Sequence, residues 1–139
     1  MVNVRTIITA LALALPASAQ SLPENKVQEC ACEGMEQERR TGSGTWVDCV
    51  SDTHAIEVEA TQDWAEAIGQ SLHYAAETGK RAKIFLFCEQ SDRSCHKHEL
   101  TLRSTIAEYS LPIDWEYVPD HCITRLRSPD AASTPQTPD

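Results

Sequence analysis

Residues 54–87 read HAIEVEATQDWAEAIGQSLHYAAETGKRAKIFLF, and this stretch decides the fold. From His54 to Glu59, polar and apolar side chains alternate with the period of a β-strand. Thr61 is a helix N-cap candidate, and the helix is predicted to run to Thr78, with Gly79 as its left-handed C-cap. The continuous apolar run Lys83–Phe87 is typical of a strand buried on both faces. A strand, a helix and a buried strand in this order predict a parallel crossover.

The flanking segments add further elements to this unit. We predict a short helix at Pro23–Cys32, strands at Met35–Arg40 and Trp46–Val50 joined by a turn at residues 41–44, a helix at Cys95–Tyr109, and a last strand at Ile113–Val118. Together they predict an α/β fold, a mixed central β-sheet flanked by helices, in a single domain over residues 20–127.

Both ends of the chain differ in composition from this domain. Arg5 precedes the apolar run of residues 7–15, Pro16 ends it, and residues 17–19 form a small-x-small cleavage pattern. Residues 1–19 are therefore predicted to be a secretory signal peptide, with a retained N-terminal anchor as the alternative. Residues 128–139 are rich in Pro, Ser and Thr and are predicted to be a disordered tail. We expect a periplasmic or secreted protein, and no later segment is apolar enough to span a membrane.

The six cysteines support the same expectation. An even number in an exported chain predicts up to three disulfides, for which fifteen pairings exist. Cys88 and Cys95 flank a polar loop and are the first pair expected. The formal net charge of −9 disfavours nucleic acid as a partner, because an acidic surface repels phosphate. No other partner and no oligomeric state are indicated.

Three acidic residues are candidates for a metal site. The period of two places Glu57 and Glu59 on one face of their strand, and Asp48 lies in the strand before it. If these strands pair, the carboxylates converge at one end of the sheet, in a site suited to Mg²⁺, Mn²⁺ or Ca²⁺. The alternative is a solvated outer face of an antiparallel pair.

The next helix carries a matching polar stripe, because Glu66, Gln70 and Tyr74 recur four residues apart. An acid in one strand, Glu-x-Glu in place of Glu-x-Lys in the next, and Gln-x-x-x-Tyr on a helix resemble the PD-(D/E)XK nuclease superfamily, and most of all its exonuclease-like branch. The likeness covers residues 46–87, and the predicted order helix–three strands–helix–strand also agrees with that restriction-endonuclease-like core. The segments 47–49 and 64–75 further resemble a group of small exported bacterial proteins.

The resemblance implies roles for particular residues. Asp48 and Glu57 would hold Mg²⁺ or Mn²⁺, Glu59 occupies the place of the motif lysine, and Gln70 and Tyr74 would stand beside the site as further catalytic residues. Either Glu29 or Glu36 would be an additional upstream acid.

The absence of that lysine leaves three functions open. In such nucleases the lysine activates the attacking water and stabilises the charge that develops on the phosphate. Lys83 is the nearest candidate substitute, although its position suggests the exposed end of its strand. The chain is therefore a degenerate phosphodiesterase, a non-catalytic binding module on the same fold, or a metal-binding protein.

A second metal site is conceivable at Cys95-His96-Lys97-His98. One Cys and two His within four residues suit Zn²⁺, provided that the Cys95 thiol is free. The alternative is a solvated helix start.

Overall fold

A five-stranded mixed sheet lies at the centre of the computed structural model, which describes residues 21–128. The predicted signal peptide and the predicted tail beyond Ser128 lie outside the described residues. The strands follow the sheet in chain order: β1 (Glu36–Arg40), β2 (Trp46–Val50), β3 (His54–Ala60), β4 (Arg81–Phe87) and β5 (Ile113–Tyr117). The helices are α1 (Glu24–Ala31), α2 (Trp64–Thr78), α3 (Asp92–Glu108) and α4 (Asp120–Arg127), with a 3₁₀ turn at Thr61–Asp63 before α2.

The pairing changes from antiparallel to parallel in the middle of the sheet. β1, β2 and β3 form an antiparallel meander, whereas β3–β4 and β4–β5 are parallel. The β3–β4 pairing runs without interruption from His54 opposite Arg81 to Ala60 opposite Phe87. Parallel strands need long crossovers, which α2 and α3 provide here.

Two apolar layers cover the two faces of the sheet. Alternate residues of β3 and β4, among them Ile56, Val58 and Phe85, pack with α1 and α4. On the opposite face, Ile84 and Leu86 pack with α2 and α3. Because β4 lies in the interior of the sheet and is covered on both sides, its continuous apolar sequence follows from its position.

The predicted α/β class and mixed sheet are confirmed, with differences in single elements. Thr61 begins the 3₁₀ turn and does not cap α2, whose N-cap is Asp63, and α3 begins at Asp92 instead of Cys95.

Helix α4 is not expected from the sequence. Its Cys122 is fully buried, and its Ile123 and Leu126 pack against the core. An eight-residue amphipathic segment is too short to stand out by periodicity, and this one is held by a disulfide. Strand β4 begins at Arg81 instead of Lys83. Gly79 is the left-handed C-cap of α2, as predicted, with φ of 67°.

Three disulfides connect the layers: Cys30–Cys122, Cys32–Cys49 and Cys88–Cys95. The first joins α1 to α4, the second ties the end of α1 to β2, and the third joins the end of β4 to the first turn of α3. The predicted Cys88–Cys95 pair is confirmed. Within the described range, no helix is both long and apolar enough to cross a membrane.

The disulfides differ in how much they restrict the unfolded chain, which yields a prediction. They close loops of 92, 17 and 7 residues. In the chain-entropy account, a longer loop gives more stabilisation. Replacing Cys30 and Cys122 by Ala should therefore lower the unfolding free energy by about 4–5 kcal/mol, against about 2 kcal/mol for the Cys88→Ala/Cys95→Ala variant. Urea unfolding followed by circular dichroism measures both values, and equal losses would contradict the loop-length argument.

Candidate functional site

Asp48 lies where β2 and β3 stop pairing. The two strands are in register at Cys49–Ile56 and Val50–Ala55, and their pairing does not continue to Asp48. Instead, the Asp48 Oδ2 atom accepts a hydrogen bond of 2.8 Å from the Val58 backbone N–H. The carboxylate thus takes the place of a backbone partner, and this contact fixes it in the opening between the strands.

Glu57 and Glu59 lie on the face of β3 that is turned towards α2. Ile56 and Val58 belong to the opposite layer, so alternation places the two glutamates on the α2 side. Their exposed fractions are only 4% and 7%. The alternative of a solvated outer face is therefore wrong for these two residues.

The hydrogen-bond partners of the three carboxylates differ. Glu59 Oε1 accepts a bond of 2.9 Å from the Ala60 N–H. The Asp48 and Glu57 carboxyl groups are close neighbours, and the charge of Asp48 raises the pKa of Glu57. The Oε2 atom of Glu57 is buried and accepts no hydrogen bond from a donor in the described part of the chain. A buried carboxyl oxygen without a donor is costly, and it marks this cluster as the candidate ligand site.

Burial raises the pKa of all three acids. The pKa of Glu57 rises to about 10, because burial and the neighbouring Asp48 and Glu59 carboxylates disfavour its charge. Burial also raises the pKa of Asp48 to about 6, although the Val58 hydrogen bond opposes this shift. The pKa of Glu59 rises to about 7, again mainly through burial. At neutral pH the cation-free site therefore retains a proton on Glu57.

Further acids surround this cluster. Glu24, in the first turn of α1, is close enough to raise the pKa of each of the three carboxyl groups. Burial raises its own pKa as well, followed by the charges of Glu89, Asp63 and Glu66. We refer to these four residues, Glu24, Asp63, Glu66 and Glu89, as the acidic rim.

Glu24 is the acid of α1 that lies near the three carboxyl groups, whereas Glu29 and Glu36, the two acids that the resemblance implied, are paired elsewhere. Glu29 pairs with Lys26 at 2.8 Å and Glu36 pairs with Arg39, both at the exposed surface. The sequence does contain a signal for this residue, because Glu24 follows Pro23 at the start of the predicted first helix. The first turn of α1 lies beside the carboxyl ends of the central strands, which brings Glu24 to the site.

Helix α2 contributes Gln70 and Tyr74 through a short chain of hydrogen bonds. The Tyr74 hydroxyl donates to Gln70 Oε1 at 2.9 Å, and Gln70 Nε2 donates to Glu66 Oε1 at 2.8 Å. Burial raises the pKa of Tyr74, and the charges of Glu57 and Asp48 raise it further. The two motif residues are thus hydrogen-bonded to each other and to Glu66 of the acidic rim, and Tyr74 is close enough to Glu57 and Asp48 for their charges to raise its pKa.

The charges that act most strongly on the three carboxyl groups are negative. Every charged neighbour with a strong effect on the pKa of Asp48, Glu57 or Glu59 is an Asp or a Glu. Lys83 lies on the opposite face of the sheet, 4.9 Å above the Phe85 ring, and pairs with Glu116 at 2.8 Å. Lys83 therefore does not replace the motif lysine.

The donor set fits a hard divalent cation better than a soft one. Asp48 and Glu57 are close enough to act on each other's pKa, and Glu59 follows Glu57 two residues later on the same face. Carboxylate oxygens are the ligands that Mg²⁺, Mn²⁺ and Ca²⁺ prefer. The three carboxylates do not form a closed triad: in the part of the chain that the structure describes, the three-residue group whose ligand atoms all lie within 4.8 Å of one another is Cys30, His121 and Cys122.

Thiolate sites for Zn²⁺ are excluded in this oxidised protein. Cys30 and Cys122 are bonded to each other, so they offer no thiolate to a metal. The predicted alternative at Cys95-His96-Lys97-His98 is wrong for the same reason, since Cys95 is bonded to Cys88.

Compared with known proteins, the chain matches no family model, no curated protein and no solved structure. Its function is therefore argued from the site itself.

The raised pKa values predict how stability depends on pH in the absence of a cation. A carboxyl group whose pKa is higher in the folded state binds more protons there, so folding is favoured at low pH. This contribution is lost as the pH rises from about 4 towards the folded pKa values of about 6, 7 and 10. With a chelator present, the unfolding free energy should be higher at pH 5 than at pH 8.

The Glu57→Gln substitution should weaken the dependence of the unfolding free energy on pH. Gln is isosteric and neutral and can still donate to Asp48, so the variant should be more stable than the wild type at pH 8 by about 3 kcal/mol. Chemical denaturation at both pH values tests the prediction, with the exposed Glu108→Gln as the matched control. A Glu57→Gln variant that is less stable at pH 8 would show that Glu57 is not a buried, protonated acid.

Proposed function

We propose that this chain is an exported, nuclease-like domain that binds a divalent cation, Mg²⁺ or Mn²⁺, at Asp48, Glu57 and Glu59. The observation that carries the proposal is the buried Oε2 atom of Glu57, which accepts no hydrogen bond from a donor and lies in a cluster with half-buried Asp48 and buried Glu59. A divalent cation would neutralise the cluster and supply the missing partner.

The order of elements supports a restriction-endonuclease-like core. A helix, an antiparallel meander of three strands, a crossover helix and a parallel strand follow one another in α1, β1–β3, α2 and β4. The distribution of the motif residues also supports the proposal, because Asp48 lies in β2, Glu57 in β3, and Gln70 and Tyr74 on α2.

Export is supported by the cysteines. All six lie downstream of the predicted signal peptide, and all are paired in disulfides. Disulfides of this number persist in oxidising compartments outside the cytoplasm.

The protein side chains would divide the work at the site as follows. Asp48, fixed by the Val58 N–H, and Glu57, once it has lost its proton, would hold the cation, with Glu59 as a further oxygen donor on the same face. When bound, such a cation acts as a Lewis acid on a phosphoryl oxygen. Gln70 and Tyr74 would position groups at the α2 side of the opening.

Cation binding without efficient cleavage is the activity that the chain's own groups support best. Hydrolysis of a phosphodiester needs a positive group to stabilise the developing charge, and Glu59 stands where the motif has lysine. The acidic rim also repels a phosphate backbone. We therefore propose a binding module that retains the nuclease metal site, with hydrolysis as the activity it has lost.

Calorimetric titration tests the cation site. The oxidised wild type should bind Mn²⁺ and Mg²⁺ at pH 7, and the Asp48→Asn/Glu57→Gln variant should lose at least about tenfold in affinity. Because Glu57 retains a proton in the cation-free state, binding should release about one proton, which titrations in buffers of different ionisation enthalpy measure. The control is Glu33→Gln/Glu108→Gln, which removes two exposed acids. Undiminished binding in the first variant, or no binding by the wild type, would contradict the proposal.

Restoring the motif lysine tests the nuclease ancestry of the site. Glu59→Lys places an ammonium group two residues after Glu57 on the same face of β3. With Mn²⁺, this variant should cleave single-stranded DNA at a rate at least about tenfold above the wild type, since loss of one charge-stabilising group typically costs more than that. The activity should disappear in Glu59→Lys/Glu57→Gln. Equal cleavage by the single and the double variant would indicate a contaminant or a different site.

A further inference from the structure

We propose that the Cys88–Cys95 disulfide is a thiol–disulfide exchange site that reacts with small external thiols while the domain remains folded. The inference is independent of the cation site, because it is based on the accessibility and surroundings of one disulfide.

Cys88 is the one cysteine of the six that is not buried, although buried Cys30 also lines a surface cleft. Both members of Cys32–Cys49 are fully buried, and Cys30 and Cys122 are 5% and 0% exposed. Cys95 is 3% exposed, whereas Cys88 is half-buried. Reaction with an external thiol requires access to a sulfur atom, so Cys88 is the sulfur that is attacked.

Cys88 also lines a surface cleft large enough to admit a thiol compound. The cleft has a volume of about 360 Å³ and lies at the carboxyl ends of β4 and β5. Phe87, Val118 and Ile123 contribute apolar lining, and Arg127 is its basic residue. Arg127 Nη2 donates to the Cys88 backbone oxygen at 2.9 Å, which holds the end of β4 in place beside the opening.

The other sulfur is placed to leave as a thiolate. Cys95 lies in the first turn of α3, a helix of 17 residues, where the helix dipole stabilises negative charge. Arg93, His96 and Lys97 are neighbours in sequence only, whereas Asp92 and Glu99 lie on the same side of the helix as Cys95. The helix N-terminus is therefore the feature that favours Cys95 as the leaving sulfur, because a more stable thiolate leaves faster.

The reaction balances with an external thiol as the reductant. An incoming thiolate attacks Cys88 Sγ, a sulfur–sulfur bond forms between them, and the Cys88–Cys95 bond breaks with its electron pair passing to Cys95 Sγ. A second thiol molecule then attacks the mixed disulfide at the sulfur of the first thiol, which releases Cys88 as a thiolate. The products are two protein thiols and the oxidised disulfide of the external thiol.

The fold should survive this reaction. Cys88–Cys95 closes a loop of 7 residues, the shortest of the three, so its loss removes the least restriction from the unfolded chain. The backbone bonds that join β4 to β3 and β5 do not pass through the loop between the two cysteines.

The test uses the oxidised protein and reduced glutathione as the probe thiol. After timed incubation without denaturant, the sample is quenched with acid, alkylated with iodoacetamide and mapped by peptide mass spectrometry. We expect modification of Cys88 and Cys95 at a rate at least about tenfold above that of the other four cysteines, since those require larger opening of the structure. The mixed-disulfide intermediate should carry glutathione on Cys88 and the alkyl group on Cys95, and the final product should carry alkyl groups on both. The Cys88→Ser/Cys95→Ser variant should retain its circular dichroism spectrum and take up no glutathione.

Three results would overturn the inference. Equal modification of all six cysteines would show that exchange follows global unfolding. Glutathione on Cys95 would reverse the assignment of the attacked sulfur. A lack of reaction until denaturant is added would show that the cleft does not admit a thiol.

Discussion

The parallel pairing of β3 with β4 is the constraint on which the other features of this domain depend. It is an uninterrupted register of seven residue pairs, and helices cover it on both sides. A strand in this position has no solvent-facing side, so every side chain of β3 must be accommodated inside the protein. The sequence of β3 places Ile56 and Val58 on one face and two glutamates on the other. The candidate site therefore results from the fold itself, because the same pairing that buries the apolar core also buries the carboxylates.

Burial of acids without a cation lowers the stability of the domain, and the covalent links offset part of that loss. Glu57 keeps a proton because ionisation beside Asp48 in a desolvated position is unfavourable. A small domain has limited core area with which to compensate. The disulfides Cys30–Cys122 and Cys32–Cys49 restrain the elements next to the opening, since they attach α1 to α4 and to β2. These two disulfides thus restrain α1 and β2, the elements that carry Glu24 and Asp48 of the candidate site.

Much of this architecture was predictable from local patterns, whereas the arrangement of charges was not. The alternation in β3, the apolar run in β4, the glycine cap at Gly79 and the Cys88–Cys95 pair each depend on neighbouring residues, and the structure confirms them. The role of Glu24 depends on how α1 crosses the sheet, and that of α4 on a cysteine 92 residues away. Tyr74, a member of the predicted polar stripe of α2, is buried on the same helix as Ala67 and Ser71, which the spacing of the stripe alone does not indicate.

The division of β3 into an apolar and an acidic face has a consequence for how the chain finds its native strand alignment. Sliding β3 by one residue against β4 would turn each of its side chains to the opposite face. Glu57 and Glu59 would then enter the layer formed by α1 and α4, while Ile56 and Val58 would meet the acidic rim. Strands that are apolar on both faces can slip by one residue at little cost, but here such a slip is penalised twice. The buried glutamates therefore exclude every shift of β3 by an odd number of residues, whether or not a cation is bound.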